Sequence, residues 1–107
     1  MANPPSLSPE QRLAALEKAA VARRARAEIK DRLKMGLLTF GELLANAEGD
    51  DIVGKMKVLA ALESMPRLGK VKARRLMEEV GIAESRRLRG LGESQRRQLL
   101  QHFDTAS

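Results

Sequence analysis

The sequence predicts an all-α domain of about five helices: a long basic N-terminal helix followed by a compact helical core. Three observations carry that prediction. Apolar residues recur at three- and four-residue steps along the chain, from Leu13 to Phe103. Two boxes of the Ser/Thr-x-x-Glu/Gln type, Ser8–Gln11 and Thr39–Glu42, mark helix starts. Gly36, Gly49, Pro66, Gly69 and Gly81 stand where the apolar runs break.

Residues 1–7 hold two prolines and no periodicity, the pattern of a flexible N-terminus. Ser8 then caps a helix expected over 8–35, with Pro9 at its first position and Gly36 beyond its end. About 27 residues at 1.5 Å each give roughly 40 Å of helix. Its apolar stripe is thin: Leu13, Leu16 and Ala20 share one face, Ile29 and Leu33 another. Between them runs an alanine- and arginine-rich stretch that reads as a basic arm carrying Arg23, Arg24, Arg26 and Lys30.

Thr39 starts a short helix with Phe40, Leu43, Leu44 and Ala47 apolar. Asp50 or Asp51 caps the next. There Ile52, Val53, Met56, Leu59, Ala60, Leu62 and Met65 predict one central packing helix, from which Lys55 and Lys57 project. Pro66 stops it. The stretch M-P-R-L-G-K-V-K-A-R-R-L-M-E-E-V-G-I, Met65 to Ile82, then reads as helix, tight turn at Gly69, helix, and Gly81 as a left-handed cap with Ile82 folding back. Lys70, Lys72, Arg74 and Arg75 crowd the start of that second helix, where free N–H groups and the dipole favour an anion. Arg86, Arg87 and Arg89 follow in a second turn bent by Gly90 and Gly92, with Leu88 and Leu91 as inward anchors. Gly92 or Ser94 starts the last helix, with Leu99, Leu100 and Phe103 apolar, and the final D-T-A-S is expected to fray. The expected core is Val53, Met56, Leu59, Leu62, Leu68, Val71, Leu76, Val80, Ile82 and Leu99. The chain thus divides into 1–7, 8–35 and a helical core over 36–107.

Composition narrows the function. At 107 residues the chain is one domain with a modest core. A net charge of +6 and pI ≈ 10.3 point to a polyanion partner. The charge is uneven, +4 over residues 1–35, −3 over 36–66 and +5 over 67–107. Aromatic residues make up 2 % with no Trp or Tyr, so stacking on unpaired bases has almost no supply. Cysteine is absent and His102 is the one histidine, which excludes thiolate and multi-histidine metal sites; no cofactor is implied. The N-terminus lacks the charge and apolar run of a signal peptide, and no stretch approaches a membrane span, so a cytoplasmic protein without membrane contact is expected.

The pattern P-x-L-G-x-x-x-A from Pro66 to Ala73 resembles the core of helix-hairpin-helix nucleic-acid-binding elements. It is similar to the helix-two-turns-helix version in ribosomal protein S13 and formamidopyrimidine-type glycosylases. A wider resemblance takes in Leu13–Arg24, D-D-I-V-G-K-M-K-V from Asp50 and R-R-L-R-G-L-G at Arg86–Gly92. Together these resemble actinobacterial integration host factor, a small nucleoid-associated DNA-binding family. The resemblance implies a largely sequence-independent, non-enzymatic binder of double-stranded DNA that affects bending, compaction and topology, with both turns meeting one duplex. A small-molecule substrate is not implied, and a monomer is the simplest state. The residues matched to this role are Arg67, Leu68, Gly69, Lys70, Val71, Lys72 and Arg74 in the first turn and Arg86, Arg87, Arg89 and Gly90 in the second. Arg23 and Arg24 on the arm, with Lys55 and Lys57, complete the set. One departure stands out: such turns usually read Pro-Gly-x-Gly, and Arg67 replaces the first glycine. Either the turn differs in detail or Arg67 keeps a permitted φ and adds a cation.

Two other functions compete. An S13-like chain would bind RNA, although such chains carry a longer basic tail than the one here. A glycosylase needs an N-terminal proline nucleophile or a lysine and aspartate beside the hairpin; residue 2 is Ala, and no Asp follows the hairpin before Asp104.

Overall fold

The structure, a computed structural model, describes residues 8–105, and the flexible N-terminus expected at 1–7 lies outside them. The described residues form six α-helices: α1 (Pro9–Lys34), α2 (Phe40–Gly49), α3 (Asp51–Gly54), α4 (Val58–Ser64), α5 (Gly69–Val80) and α6 (Glu93–Thr105). A 3₁₀ turn, Leu88–Gly90, precedes α6, and no strand occurs among the described residues. The all-α expectation holds, with one helix more than expected.

Both capping boxes form. Gln11 N–H donates to Ser8 Oγ at 3.1 Å while Ser8 N–H donates to Gln11 Oε1 at 2.9 Å. Thr39 and Glu42 repeat the exchange at 3.1 and 3.0 Å. The N-terminal half of α1 buries almost nothing: Leu13 is 59 % and Leu16 61 % exposed, and Leu33 is the buried residue of the helix. α1 packs on α3 and α4 through its C-terminal half, so the molecule is drawn out to 55 Å along one axis.

The core gathers Phe40, Leu43, Leu44 and Ala47 of α2, Val53, Met56, Val58, Ala61 and Leu62 of the middle, and Ala73, Leu76 and Met77 of α5. Leu68, Ile82, Leu88, Leu91 and Leu99 close it, and the Phe40 and Phe103 rings meet at a tilt with centroids 5.0 Å apart. Of the expected core, Leu59 and Val80 are only half-buried, and Val71 is 72 % exposed. Val71 faces outward, against expectation, because it lies two positions before Ala73, about 200° around the helix from the face that Ala73, Leu76 and Met77 set.

The single central helix expected from Asp51 to Met65 is two helices. Lys55 is still αR, but Lys57 is extended at φ −70°, ψ 138°. Across the break the backbone pairs with the second turn: Val58 N–H donates to Arg86 O at 3.0 Å and Leu88 N–H to Met56 O at 2.9 Å. Lys57 and Arg87 face each other in an antiparallel bridge. The break therefore costs few unpaired backbone groups, since residues thirty positions away replace the helical partners.

Candidate nucleic-acid interface

Two basic surfaces flank this core, and they are built differently. In the first, Met65 leaves α4 extended, and Pro66 and Arg67 turn the chain. Leu68 is buried at 8 % exposure and pins the turn, so it supports the surface instead of presenting a side chain to a ligand. Arg67 sits at φ +70° and Gly69 at φ +73°. Arg67 thus takes a left-handed φ of the kind glycine normally supplies, so it does not keep a permitted φ. A non-glycine residue there costs of order 1–3 kcal/mol, and such strain clusters at functional sites.

α5 starts at Gly69 with no side-chain cap and no acidic residue in its first turn. Its first N–H groups therefore lack intrahelical partners, and Lys70, Val71 and Lys72 are exposed around them. No atom lies within 4 Å of where a Gly69 Cβ would stand, so positive φ, not crowding, requires glycine here in the free protein. Arg74 is less available, since its Nε lies 3.7 Å from Glu84 Oε1 in an exposed ion pair. At the far end Gly81 takes φ +81°, and Ile82 N–H donates to Met77 O at 2.8 Å, closing the expected cap.

In the second surface Leu88 and Leu91 are buried, as expected of anchors. The three arginines around them have separate tasks. Arg86 Nη1 donates to Gly90 O at 3.1 Å, holding the exposed Gly90 end of the turn. Arg87 Nη1 donates to Lys55 O at 3.1 Å. Arg89 turns inward: Nε and Nη2 both donate to Ala47 O at 3.3 Å, and Nη1 lies 2.9 Å from Asp51 Oδ1. The Arg89 hydrogen bond and charge, with Lys55 adding to them, hold the Asp51 carboxyl below its usual range. Gly54 is buried under this clamp, where an added Cβ would stand 2.7 Å from Arg89 Nε and 2.8 Å from Ala47 O.

Arg87 also borders a shallow depression of about 310 Å³ with Arg26, Lys30, Lys55 and Lys57, floored by Met56 and Ala60. Five cations and no carboxylate line it. Arg26 and Lys30 reach it from one face of α1 at i and i+4. Arg23 and Arg24 are exposed on the same helix but do not line it. The structure therefore gathers Lys55, Lys57 and Arg87 with Arg26 and Lys30 of the basic arm, and not with Arg23 and Arg24. Sequence reasoning missed the Ala47–Asp51 seat of Arg89, because nothing local to Arg89 signals a carbonyl 42 positions away.

Comparison with known proteins agrees with this geometry. Residues 33–103 match the S13-like H2TH domain. The chain is 60 % identical over 100 residues to Integration host factor of Mycolicibacterium smegmatis, covering 94 % of this chain and 95 % of the relative. It is 59 % identical to that of Mycobacterium tuberculosis, covering 95 % and 97 %, and 55 % identical to that of Streptomyces coelicolor, covering 96 % and 95 %. A solved structure of sIHF bound to an 8bp palindromic DNA superposes with a TM-score of 0.80 at 52 % identity, over 81 % of this chain and 98 % of that one. The chain belongs to the integration host factor family of actinobacteria, built on an S13-like H2TH domain.

Proposed function

We propose that this protein is a non-enzymatic, nucleoid-associated binder of double-stranded DNA that grips the phosphate backbone and so influences bending, compaction and topology. The observation that carries the reading is the first turn: an uncapped helix start, presented by a strained Arg67 and Gly69 and flanked by exposed cations. Backbone N–H groups there suit a phosphate oxygen, and Arg67, Lys70 and Lys72 supply charge around it. The depression formed by Arg26, Lys30, Lys55, Lys57 and Arg87 suits a second stretch of backbone. Nothing in either surface is arranged to read base edges, so affinity is expected to vary little with sequence. The solved relative bound to DNA supports the same partner.

Bending a site of 20–30 bp costs roughly 1–6 kcal/mol, so a bent duplex needs contacts from both surfaces. Removing residues 1–26 takes Arg23, Arg24 and Arg26 away and is expected to reduce bending more than simple binding. The deciding experiment is fluorescence anisotropy with unrelated DNA duplexes and a matched RNA duplex across 50–200 mM salt. Sequence-insensitive affinity for DNA that falls log-linearly with salt supports the reading. The S13-like domain favours RNA as the second reading, and preference for the RNA duplex would replace the DNA assignment with it.

A further inference from the structure

We propose that the open groove beside the first turn is a binding site for a free amphiphilic carboxylate, an anionic head on an aliphatic chain of the fatty-acid class. The groove holds about 960 Å³, at the upper end of the 300–1,000 Å³ usual for small-molecule sites. The half-buried Leu38, Met65, Leu100 and Phe103 form its apolar walls, over a floor that includes Phe40 and Leu76. Its charged lining is lopsided: Arg67, Lys72 and Arg75 against a single carboxylate, Glu79. Arg67, Lys72 and Arg75 are exposed, and among the described residues none of the three has an ion-pair or hydrogen-bond partner. An apolar trough with three idle cations on its margin complements a chain with one negative end.

The groove lies at the C-terminal end of α1, against Leu33 and Gly36.

Occupancy has a consequence for the first turn. Arg67 and Lys72 belong both to the groove and to the cations assigned to phosphate, so a bound carboxylate competes with DNA for them. The binding site stands apart from the DNA reading; only this competition rests on it.

The test uses the full chain and dodecanoate, with no DNA in the first arm. Methyl resonances of Leu76 and Leu100 are followed by NMR during titration to about 1 mM. Saturable shifts confined to the groove are expected, and dodecyltrimethylammonium, with the opposite head on the same tail, should give none. Gly41 lines the groove in α2 at an ordinary backbone conformation, and a Cβ there would make a normal 3.5 Å contact with Leu100 Cδ2. Gly41→Leu should therefore fold, fill the groove and abolish the shifts. Arg75→Glu should weaken dodecanoate at least tenfold. Absence of saturation in the wild type, equal binding of the cationic amphiphile, or wild-type binding by folded Gly41→Leu each overturns the site. In the second arm, saturating dodecanoate should lower the salt slope of DNA binding by up to about 1.8, two contacts at 0.9 each. Groove binding without any change in that slope overturns the competition and leaves the site standing.

Discussion

The two basic turns have similar composition and opposite construction. The first, around Arg67 and Gly69, is pinned by Leu68 and leaves Arg67, Lys70 and Lys72 exposed with no internal task; its helix start is uncapped, and its backbone takes two left-handed φ values. The second uses its arginines as structure. Arg87 holds the backbone of Lys55, and Arg89 ties α2 to α3 through Ala47 and Asp51. A run of arginines is thus not by itself a measure of free charge. Removing cations from the first turn should cost affinity alone, while removing them from the second should cost affinity and fold together.

The largest expected effect sharpens that contrast. Arg67, Lys70 and Lys72 changed together to Ala should lower the salt slope on B-DNA by about 2.7, three contacts at 0.9, for every duplex sequence alike. Stability should stay within about 0.5 kcal/mol, since none of the three holds another residue. The matching Arg86, Arg87 and Arg89 triple should lose affinity and also melt earlier. Hydrogen bonds from a charged donor contribute about 1.5–3 kcal/mol in general, less here because the Arg89 side chain is 46 % exposed. If the second triple keeps its melting temperature, the inward role assigned to Arg89 is wrong.

Next in size is Gly54→Ala. The added methyl meets Arg89 and the Ala47 carbonyl below 3.0 Å, so the clamp must open or the α2–α3 junction must shift. Overpacking of this kind costs about 1–3 kcal/mol, readable as a lower urea midpoint with unchanged slope. A neutral Gly54→Ala would mean that Arg89 moves aside freely and the second turn is as uncommitted as the first.

Arg67→Gly has a smaller effect with opposite signs. Glycine accepts φ +70° without strain, so stability should rise by up to about 1 kcal/mol, although glycine's larger unfolded-state entropy offsets part of that gain. DNA affinity should fall through loss of one cation, by about 0.9 in the salt slope. A variant that gains stability and keeps its affinity would show the strain to be incidental to binding.

The sequence made the local features legible. Ser8, Thr39 and Gly81 announce their roles within three or four residues, and each role appears in the structure with its hydrogen bonds. Arg67 was visible as a departure from the turn pattern, though not the conformation it adopts. What remained hidden was set by distance along the chain. The periodicity from Ile52 to Met65 runs through the break at Lys57, because the groups that make the break tolerable sit at 86–88. Val71 fitted a three- and four-residue count, yet only the packing of Ala73, Leu76 and Met77 fixes which side of α5 faces inward. Among the candidate site residues, charge type was legible and commitment was not: Arg87 and Arg89 look alike in sequence, and Asp51 separates them.

Acid provides the smallest and most selective test of the comparison. Arg89, first by its hydrogen bond and then by its charge, lowers the Asp51 pKa, with Lys55 adding to it. A carboxylate with a depressed folded-state pKa contributes stability that is fully present above its unfolded value, near 3.9, and is lost as pH falls through the lower folded value. Asp51→Asn should therefore lie below the wild type in stability by a constant amount above about pH 5, and the gap should close below about pH 4. Measuring the gap, not the wild type alone, cancels Glu42, whose pKa is also lowered, chiefly by the Thr39 backbone N–H. The first turn of α5 carries no acidic residue, so Arg67→Ala should show a gap that does not change over the same range. If the Asp51→Asn gap is flat down to pH 2, the carboxylate does not anchor Arg89. The guanidinium would then be held by the Ala47 carbonyl alone, with Nη1 open to phosphate, and the distinction between the two turns would narrow at that residue.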